Sequence, residues 1–530
     1  MGDIGSYVPQ IDRGNQGSNK PTPENQTLLQ GFEWNVPDDF KQWTRLHDAL
    51  PALQSIGITN LWLPPGCKAS SPKGNGYDIY DIYDLGEFDQ KGGKPTKFGP
   101  KEDLDKLASR AQELGVGLYW DAVLNHKAAA DSIEKCMVVE VDEQDRTKEI
   151  GEPHEIEAWL GFEFKGRGDK YSKQKYHWYH FSGTDWDQKT EKKAIYKILG
   201  DNKGWSRSVG KEDGNADYLM FADLDYSHPE VEEDVKQWGT WITKELKLKG
   251  FRLDAVQHIS GRYMCEWAKY IWEQCGKDVF FVGEFWVGDA EELNQWIKDT
   301  KGIFSLYDAP LLNNFSSLSQ SEAGDLRQVF DDSLVKVNPD KAVTVVMNHD
   351  TQPGQTVETP VESFFKPLAY ALILLRAEGY PCAFYGDLYG LRANPDNDKV
   401  KPQPPACSGK LADLLLARKL FAYGEQDDYF DAENCVGWVR RGTWDRPGCA
   451  VVMSNAAENE KRMFVGEERA GEVWVDVLGW AEGEVEIDEE GFGMFTCPGV
   501  SVAVWVHKEA EGREKFPVNF DADIYGEGEQ

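Results

Sequence analysis

Four short runs, in fixed order, each end on an acid just after an apolar, strand-like stretch: GLYWDAVLNH with Asp121, GFRLDAVQH with Asp254, VFFVGEFW with Glu284 and VTVVMNHD with Asp350. Carboxylates at the ends of several successive buried strands point to one mouth of a parallel barrel, where the following loops gather reactive groups. Side chains two apart on a strand share a face, so Arg252 and Asp254 point the same way. The guanidinium favours the ionised carboxylate, which suits Asp254 to nucleophilic attack. Glu284, followed by Phe285 and Trp286, sits where aromatic surroundings raise a carboxyl pKa and keep a proton ready for general acid work. One carboxylate held charged and one held protonated is the pair that glycoside cleavage needs. Asp350, beside His349, adds a third acid able to grip hydroxyls. Taken singly, such pairs are at least as often structural as functional; the ordered set carries the inference.

Positioning these groups requires alternating strands and helices, and the chain supplies them. TLLQGF reads as a first strand, and Phe40, Trp43, Leu46, Leu50 and Leu53 recur at helical spacing before the buried strand ITNLWL. Pro100 suits a first helical position, Leu104, Leu107, Ala111 and Leu114 form the apolar stripe, Gly115 stops the helix, and VGLYWDAV follows as a third strand. Further strands are expected at about 250–255, 279–284, 303–306, 342–348 and 381–385, giving eight. The expected architecture is α/β: a (β/α)8 barrel over 27–125 and 229–425, a β-rich insertion over 126–228 after the third strand, and a C-terminal antiparallel β-sandwich over 426–508. Residues 1–26 read as a flexible arm and 509–530 as a disordered acidic tail.

The chain has 530 residues with 91 acidic and 58 basic side chains, a formal charge of -33. That charge opposes nucleic acid and anionic membrane surfaces and points to a neutral or cationic substrate. Nine cysteines without paired spacing fit neither a disulfide framework nor a zinc motif, so reduced thiols are expected. The N-terminal run has neither a basic n-region nor an apolar h-region, and no stretch reaches the roughly 18 apolar residues of a membrane span. A cytoplasmic, monomeric protein without integral membrane association is expected. Gly2 with Ser6 fits the N-myristoylation pattern, a short pattern that arises often by chance.

DAVLNH, GFRLDAVQH, GEFW and MNHD together resemble the four ordered regions of the α-amylase family of glycoside hydrolases. QGFEW, GNGYDIYDIYDLGEFDQKG, GRGDKYSKQKYHWYHFSGTDWD, NADYLMFADLDYSHP and YPCAFYGDLYG extend the likeness to the liquefying, bacterial-type members over residues 27–507. The resemblance implies Asp254 as nucleophile, Glu284 as general acid/base and Asp350 as the residue holding a distorted sugar. Arg252 would orient Asp254, and His126, His349 and the His258 side chain would meet substrate. Tyr77 would stack under a sugar, Trp34 and Trp286 would flank it, and Asp121 would support the site structurally. The implied reaction is retaining endo-hydrolysis of α-1,4 bonds in starch, glycogen or maltodextrin. The alternatives are a 4-α-glucanotransferase-like transglycosylase of the same family and, from another class, a non-catalytic glucan-binding protein.

Asp217, Asp223 and Asp225 in DYLMFADLD lack EF-hand spacing and by themselves read as a solvated acidic loop. The resemblance implies one calcium held by Asn125, Asp217, Asp223 and the His258 backbone carbonyl. Ser182, Ser206 and Ser227 stand where relatives place aspartates for a second calcium and a sodium, so those sites are expected to be absent. Gln257 stands where relatives usually carry lysine, and HDTQPG lacks the arginine of chloride-dependent relatives.

Overall fold

The computed structural model describes residues 20–321, 324–394 and 397–526. Eight parallel strands close into a barrel: β1 (Leu28–Gln30), β2 (Asn60–Leu63), β3 (Gly117–Ala122), β4 (Gly250–Leu253), β5 (Phe280–Gly283), β6 (Ser305–Tyr307), β7 (Ala342–Val345) and β8 (Tyr380–Phe384), with β1 pairing both β2 and β8. All but the first residue of β3 are buried in these strands, as expected where helices cover a parallel sheet from outside. Side chains of alternate positions fill the interior. Near the bottom the Asn60 amide donates to Tyr380 at 2.9 Å, and the Tyr119 and Tyr380 hydroxyls lie 3.3 Å apart. Above them come Trp62, Arg252 and Tyr307, with the Arg252 guanidinium 5.2 Å from the Trp62 ring centre.

The outer helices follow their apolar stripes. Lys101–Leu114 buries Leu104, Leu107, Ala108 and Ala111, carries Glu102 and Asp103 in its first turn, and stops at Gly115, whose φ of 70° is the left-handed cap that glycine adopts without penalty. Pro100 is the residue before this helix rather than its first member. Phe40 likewise lies outside the helix Gln42–Ser55, turned back by a φ of 61°. Pro229–Leu246 buries Val231, Val235, Trp238, Ile242 and Leu246.

Between β3 and β4 lies a six-stranded sheet that includes the long pair Ser132–Val141 and Glu149–Gly161. Its edge strand His126–Lys127 follows the end of β3 and pairs with Ala222–Leu224. The C-terminal part is β-rich, with a six-stranded antiparallel sheet and a two-stranded one whose apolar faces share the cluster of Val439, Val452, Met463, Phe495 and Trp505. All nine cysteines are free thiols, and no helix of the described residues is long and apolar enough to cross a membrane.

Both ends depart from expectation. Residues 1–19, including the Gly2 acylation pattern, lie outside the described residues. The rest of the expected arm is pinned: Asn25 is buried and its amide donates to the carbonyls of Arg418 and Ala422 at 3.1 and 2.9 Å, while Thr22 bonds Asp445. The tail, expected to be disordered, packs against the barrel through Phe516, Val518, Phe520, Ile524 and Tyr525. Scattered aromatics in an acidic run give no periodic signal, yet each finds an apolar seat once the barrel has formed.

Candidate active site

The strand-end acids meet at the C-terminal mouth, and the Arg252 guanidinium organises them. Its Nη1 donates to Asp121 Oδ1 at 2.8 Å and to Asp254 Oδ1 at 2.6 Å, and its Nη2 donates to Glu284 Oε2 at 2.6 Å. The β4 register sets Arg252 beside Asp121 of β3 and Val282 of β5, so the cation faces acids on both sides. Side-chain exposure rises outward, from 0% at Asp121 to 11% at Asp254, 15% at Glu284 and 31% at Asp350. Asp121 therefore forms the floor, and the other three acids can meet a ligand. Its remaining oxygen accepts from Trp62 Nε1 and the Tyr77 hydroxyl, both at 2.9 Å.

Burial pushes Asp121 up to about 7 against the pull of Arg252. Burial also raises Glu284; Arg252 opposes the rise and the charge of Asp254 adds to it. The sequence reading expects the same direction from aromatic surroundings, and to that burial the structure adds the charge of Asp254. Asp350 is raised by burial and then by the charge of Glu284. Glu284 Oε2 also accepts the Ala255 N–H at 3.1 Å. Ala255 makes this contact from a left-handed conformation, φ 48° and ψ 49°, a strained state for a residue with a Cβ and one typical of functional sites. No hydrogen bond engages Glu284 Oε1 among the described residues, which leaves that oxygen to carry a proton.

His349 stacks on Tyr77, rings 5.2 Å apart and within 8° of parallel, and Trp34 stacks with both at about 6 Å. Gln30 Nε2 lies 3.0 Å from His349 Nδ1, so the neutral ring carries its hydrogen on Nε2, 3.1 Å from Asp350 but poorly aligned with it. That donor has no aligned partner among the described residues. Burial, with the charge of Arg252, lowers the His349 pKa well below the usual range. His126 also carries its hydrogen on Nε2, but its unpartnered nitrogen is the other one, Nδ1. Its Nε2–H donates to the Tyr77 carbonyl at 2.8 Å, its buried Nδ1 has no partner, and burial lowers its pKa to about 4. It offers an acceptor where His349 offers a donor.

Tyr77 owes its placement to Gly76, whose φ is +94° and where a Cβ would stand 2.0 Å from the Pro65 carbonyl oxygen. Trp286 is half-buried and joins no ring pair among the described residues, so it stands apart from the stack. His258 is tied by Nδ1 to the Ala216 carbonyl, with its pKa lowered by burial. The Gln257 side-chain oxygen is buried without a partner. Beside His126 a cleft of about 420 Å³ opens between Lys127, Trp159, Trp186 and Phe221. Sequence reasoning overlooked Gln30, Trp62, Ala255 and the Glu33–Gln352 pair. Gln30 and Trp62 were findable, because each lies at or next to the end of a strand already identified; the others depend on loop geometry.

Asp217 and Asp223 are both buried and raised by burial, Asp217 to about 7, and Asp223 also by the charge of Asp217; among the described residues no lysine or arginine pairs with either. Asp223 accepts from Ser182 Oγ and Asp217 from the Ser206 N–H at 2.9 Å. The His258–Ala216 bond brings the His258 segment against Asp217, and the Asn125 carbonyl accepts from Leu224 N, next to Asp223. Two buried acids without a counter-charge among the described residues, with Asn125 and the His258 segment beside them, form an oxygen-rich set suited to calcium. Asp225 is a different case, since the Lys203 ammonium lies 2.6 Å from it and also donates to the Phe181 carbonyl at 3.1 Å.

Among the described residues, His180, His228 and Glu230 hold ligand-type atoms within 4.8 Å of one another. His180 Nδ1 accepts the His177 N–H at 2.9 Å while its Nε2 meets Glu230 at 2.8 Å. A neutral ring using both nitrogens in this way has no lone pair to offer, so the group is a hydrogen-bonded cluster.

Residues 30–408 match the family described as "Alpha amylase, catalytic domain", and residues 450–506 match "Alpha-amylase C-terminal". The chain is 44% identical over 487 residues to the alpha-amylase of Bacillus licheniformis, covering 91% of this chain and 94% of that one. It is 41% identical over 491 residues to the cytoplasmic alpha-amylase of Escherichia coli K12, covering 92% and 99%. Its fold is similar to that of a solved Anoxybacillus alpha-amylase, with a TM-score of 0.60 at 18% identity over 91% of this chain and 97% of that one.

Proposed function

Because the chain belongs to the alpha-amylase family, and is a glycoside hydrolase acting within α-1,4-glucan chains, we propose that Asp254 is its nucleophile, Glu284 its general acid/base and Asp350 the group that holds a distorted sugar. The shared guanidinium carries this reading. It holds two carboxylates, each 2.6 Å from a different one of its nitrogens, side by side at the mouth, as an acid and a nucleophile acting on one glycosidic bond require. Glu284 protonates the glycosidic oxygen as Asp254 closes on the anomeric carbon, and then takes a proton from the water that frees the sugar. Asp350 accepts from sugar hydroxyls, His349 donates, His126 accepts, and Tyr77 offers a ring face. The cleft lined by Trp159, Trp186 and Phe221 gives a long chain room to continue. A cytoplasmic location is part of the same proposal, supported by the Escherichia coli relative.

The test is incubation with amylose, glycogen and a short maltodextrin, following reducing ends and product lengths. Rapid shortening with α-anomeric products is expected. Products longer than the donor would transfer the assignment to a transglycosylase, and no turnover would leave only binding.

Members of this family typically bind calcium. We propose a single ion here, held by Asn125, Asp217, Asp223 and the His258 carbonyl, where its charge offsets two buried acids and ties the inserted sheet to the barrel. Chelation is then expected to lower the melting temperature in one step that one equivalent of calcium restores. Calorimetric titration of the stripped protein showing two or more tight equivalents would contradict the single site.

A further inference from the structure

The C-terminal segment beyond the family-matched residues 450–506 returns to the barrel along a defined path. Phe516 packs on Phe421 at 5.8 Å, the Val518 N–H donates to Asp413 at 3.0 Å, and Phe520 meets Tyr389 at 5.6 Å. The segment reaches the end of β8, where the Tyr525 hydroxyl lies 3.1 Å from that of Tyr385. Two guanidinium groups lie over the Tyr525 ring, Arg45 at 4.8 Å and Arg392 at 4.5 Å from its centre. Arg45 belongs to the helix after β1 and also pairs with Asp39. Arg392 belongs to the loop after β8.

From Arg392 a short relay leads into the mouth. Its N–H donates to Glu33 Oε1 at 3.4 Å and its carbonyl accepts from Asn35 Nδ2 at 3.4 Å. Glu33 is fully buried, and its Oε2 accepts from the Asn35 N–H at 2.7 Å and from Gln352 Nε2 at 2.9 Å. Gln352 Oε1 in turn accepts the Trp34 N–H at 2.9 Å, and the Trp34 ring stacks beside Tyr77 and His349.

We propose that residues 516–525 form a strap that holds the Trp34 wall of the mouth in register, with Tyr525 as a positioning residue for glucan binding. It touches no reacting atom. It fixes the β8 loop and the helix after β1 against one another, and Trp34 inherits the result. The inference rests on the mouth being the glucan site.

The experiment compares full-length wild type, Tyr525→Ala, Tyr525→Phe and Arg392→Gln on amylose. Tyr525→Ala is expected to raise KM roughly five- to tenfold with kcat within about twofold, the signature of lost binding shared by ground and transition states. Tyr525→Phe keeps the ring between the cations and should restore KM. Arg392→Gln removes one of those cations without touching the tail and should raise KM in the same sense. An unchanged KM in both Tyr525→Ala and Arg392→Gln, with wild type active, overturns the strap alone. A parallel fall in kcat and thermal stability at constant KM overturns it as well, since that is what a purely structural contact gives. Wild type inactive on amylose overturns the site reading beneath it.

Discussion

Glu284→Gln is expected to lower kcat on amylose by about 10²–10⁴-fold while the protein keeps its fold. The amide preserves the size of the side chain and can still accept from Arg252 and Ala255, the two groups that hold Oε2. What is lost is the proton on the other oxygen. The loss should therefore depend on the leaving group. An aryl maltoside, whose phenolate departs without protonation, should be attacked by Glu284→Gln almost as well as by wild type, with deglycosylation becoming slow and a burst of phenol released. Asp254→Asn should show no burst on either substrate, because no glycosyl-enzyme forms. Burial raises the Glu284 pKa, so the alkaline limb of kcat/KM in the wild type should fall as pH rises through that value and vanish in Glu284→Gln. A pH profile with the same alkaline limb in both proteins would remove Glu284 from the acid role, as would a full burst from Asp254→Asn.

Arg252→Met is expected to give the largest loss of stability, about 3–5 kcal/mol, the usual cost of leaving buried charges without their partner. Three carboxylates share this cation, and Asp121 is fully buried behind it. The deficit should depend on pH in a definite direction. Asp121 has a folded pKa of about 7 against an ordinary value of 3.8, so between those values the folded chain keeps a proton that the unfolded chain has released. Raising the pH through that window favours unfolding, and removing Arg252 lifts the folded pKa further. The gap between wild type and Arg252→Met in urea midpoints should thus widen from pH 5 to pH 8. Arg252→Lys keeps a charge but not the fork that reaches Asp254 and Glu284 together, and should fall between them. Equal midpoints for Met and wild type at pH 8 would show that the acids find another counter-charge.

Arg252 also marks how far local sequence reasoning extends. The alternation of a strand is enough to put Arg252 and Asp254 on one face, and the structure joins them at 2.6 Å. The same alternation says nothing about Asp121 and Glu284, which reach the cation through the register of β3, β4 and β5. The roles of His126 and His349 are a similar case. Their place just beyond strand ends is written in DAVLNH and MNHD, but which nitrogen is unpartnered is set by Tyr77 and Gln30, distant in sequence. Lys203 on Asp225 and Tyr525 between two arginines have no local signature at all.

The sequence by itself determined the βα rhythm, the count of eight strands, the acids at their ends and, through resemblance, the family. These follow from periodicity and residue type, which are properties of neighbours along the chain. Only the tertiary structure decided that one guanidinium serves three acids, that the charge of Asp254 adds to burial in raising Glu284, and that the acidic tail packs against the barrel. Each of these depends on cross-strand register, on exclusion of water by parts far apart in sequence, or on an apolar seat that exists only after the barrel closes.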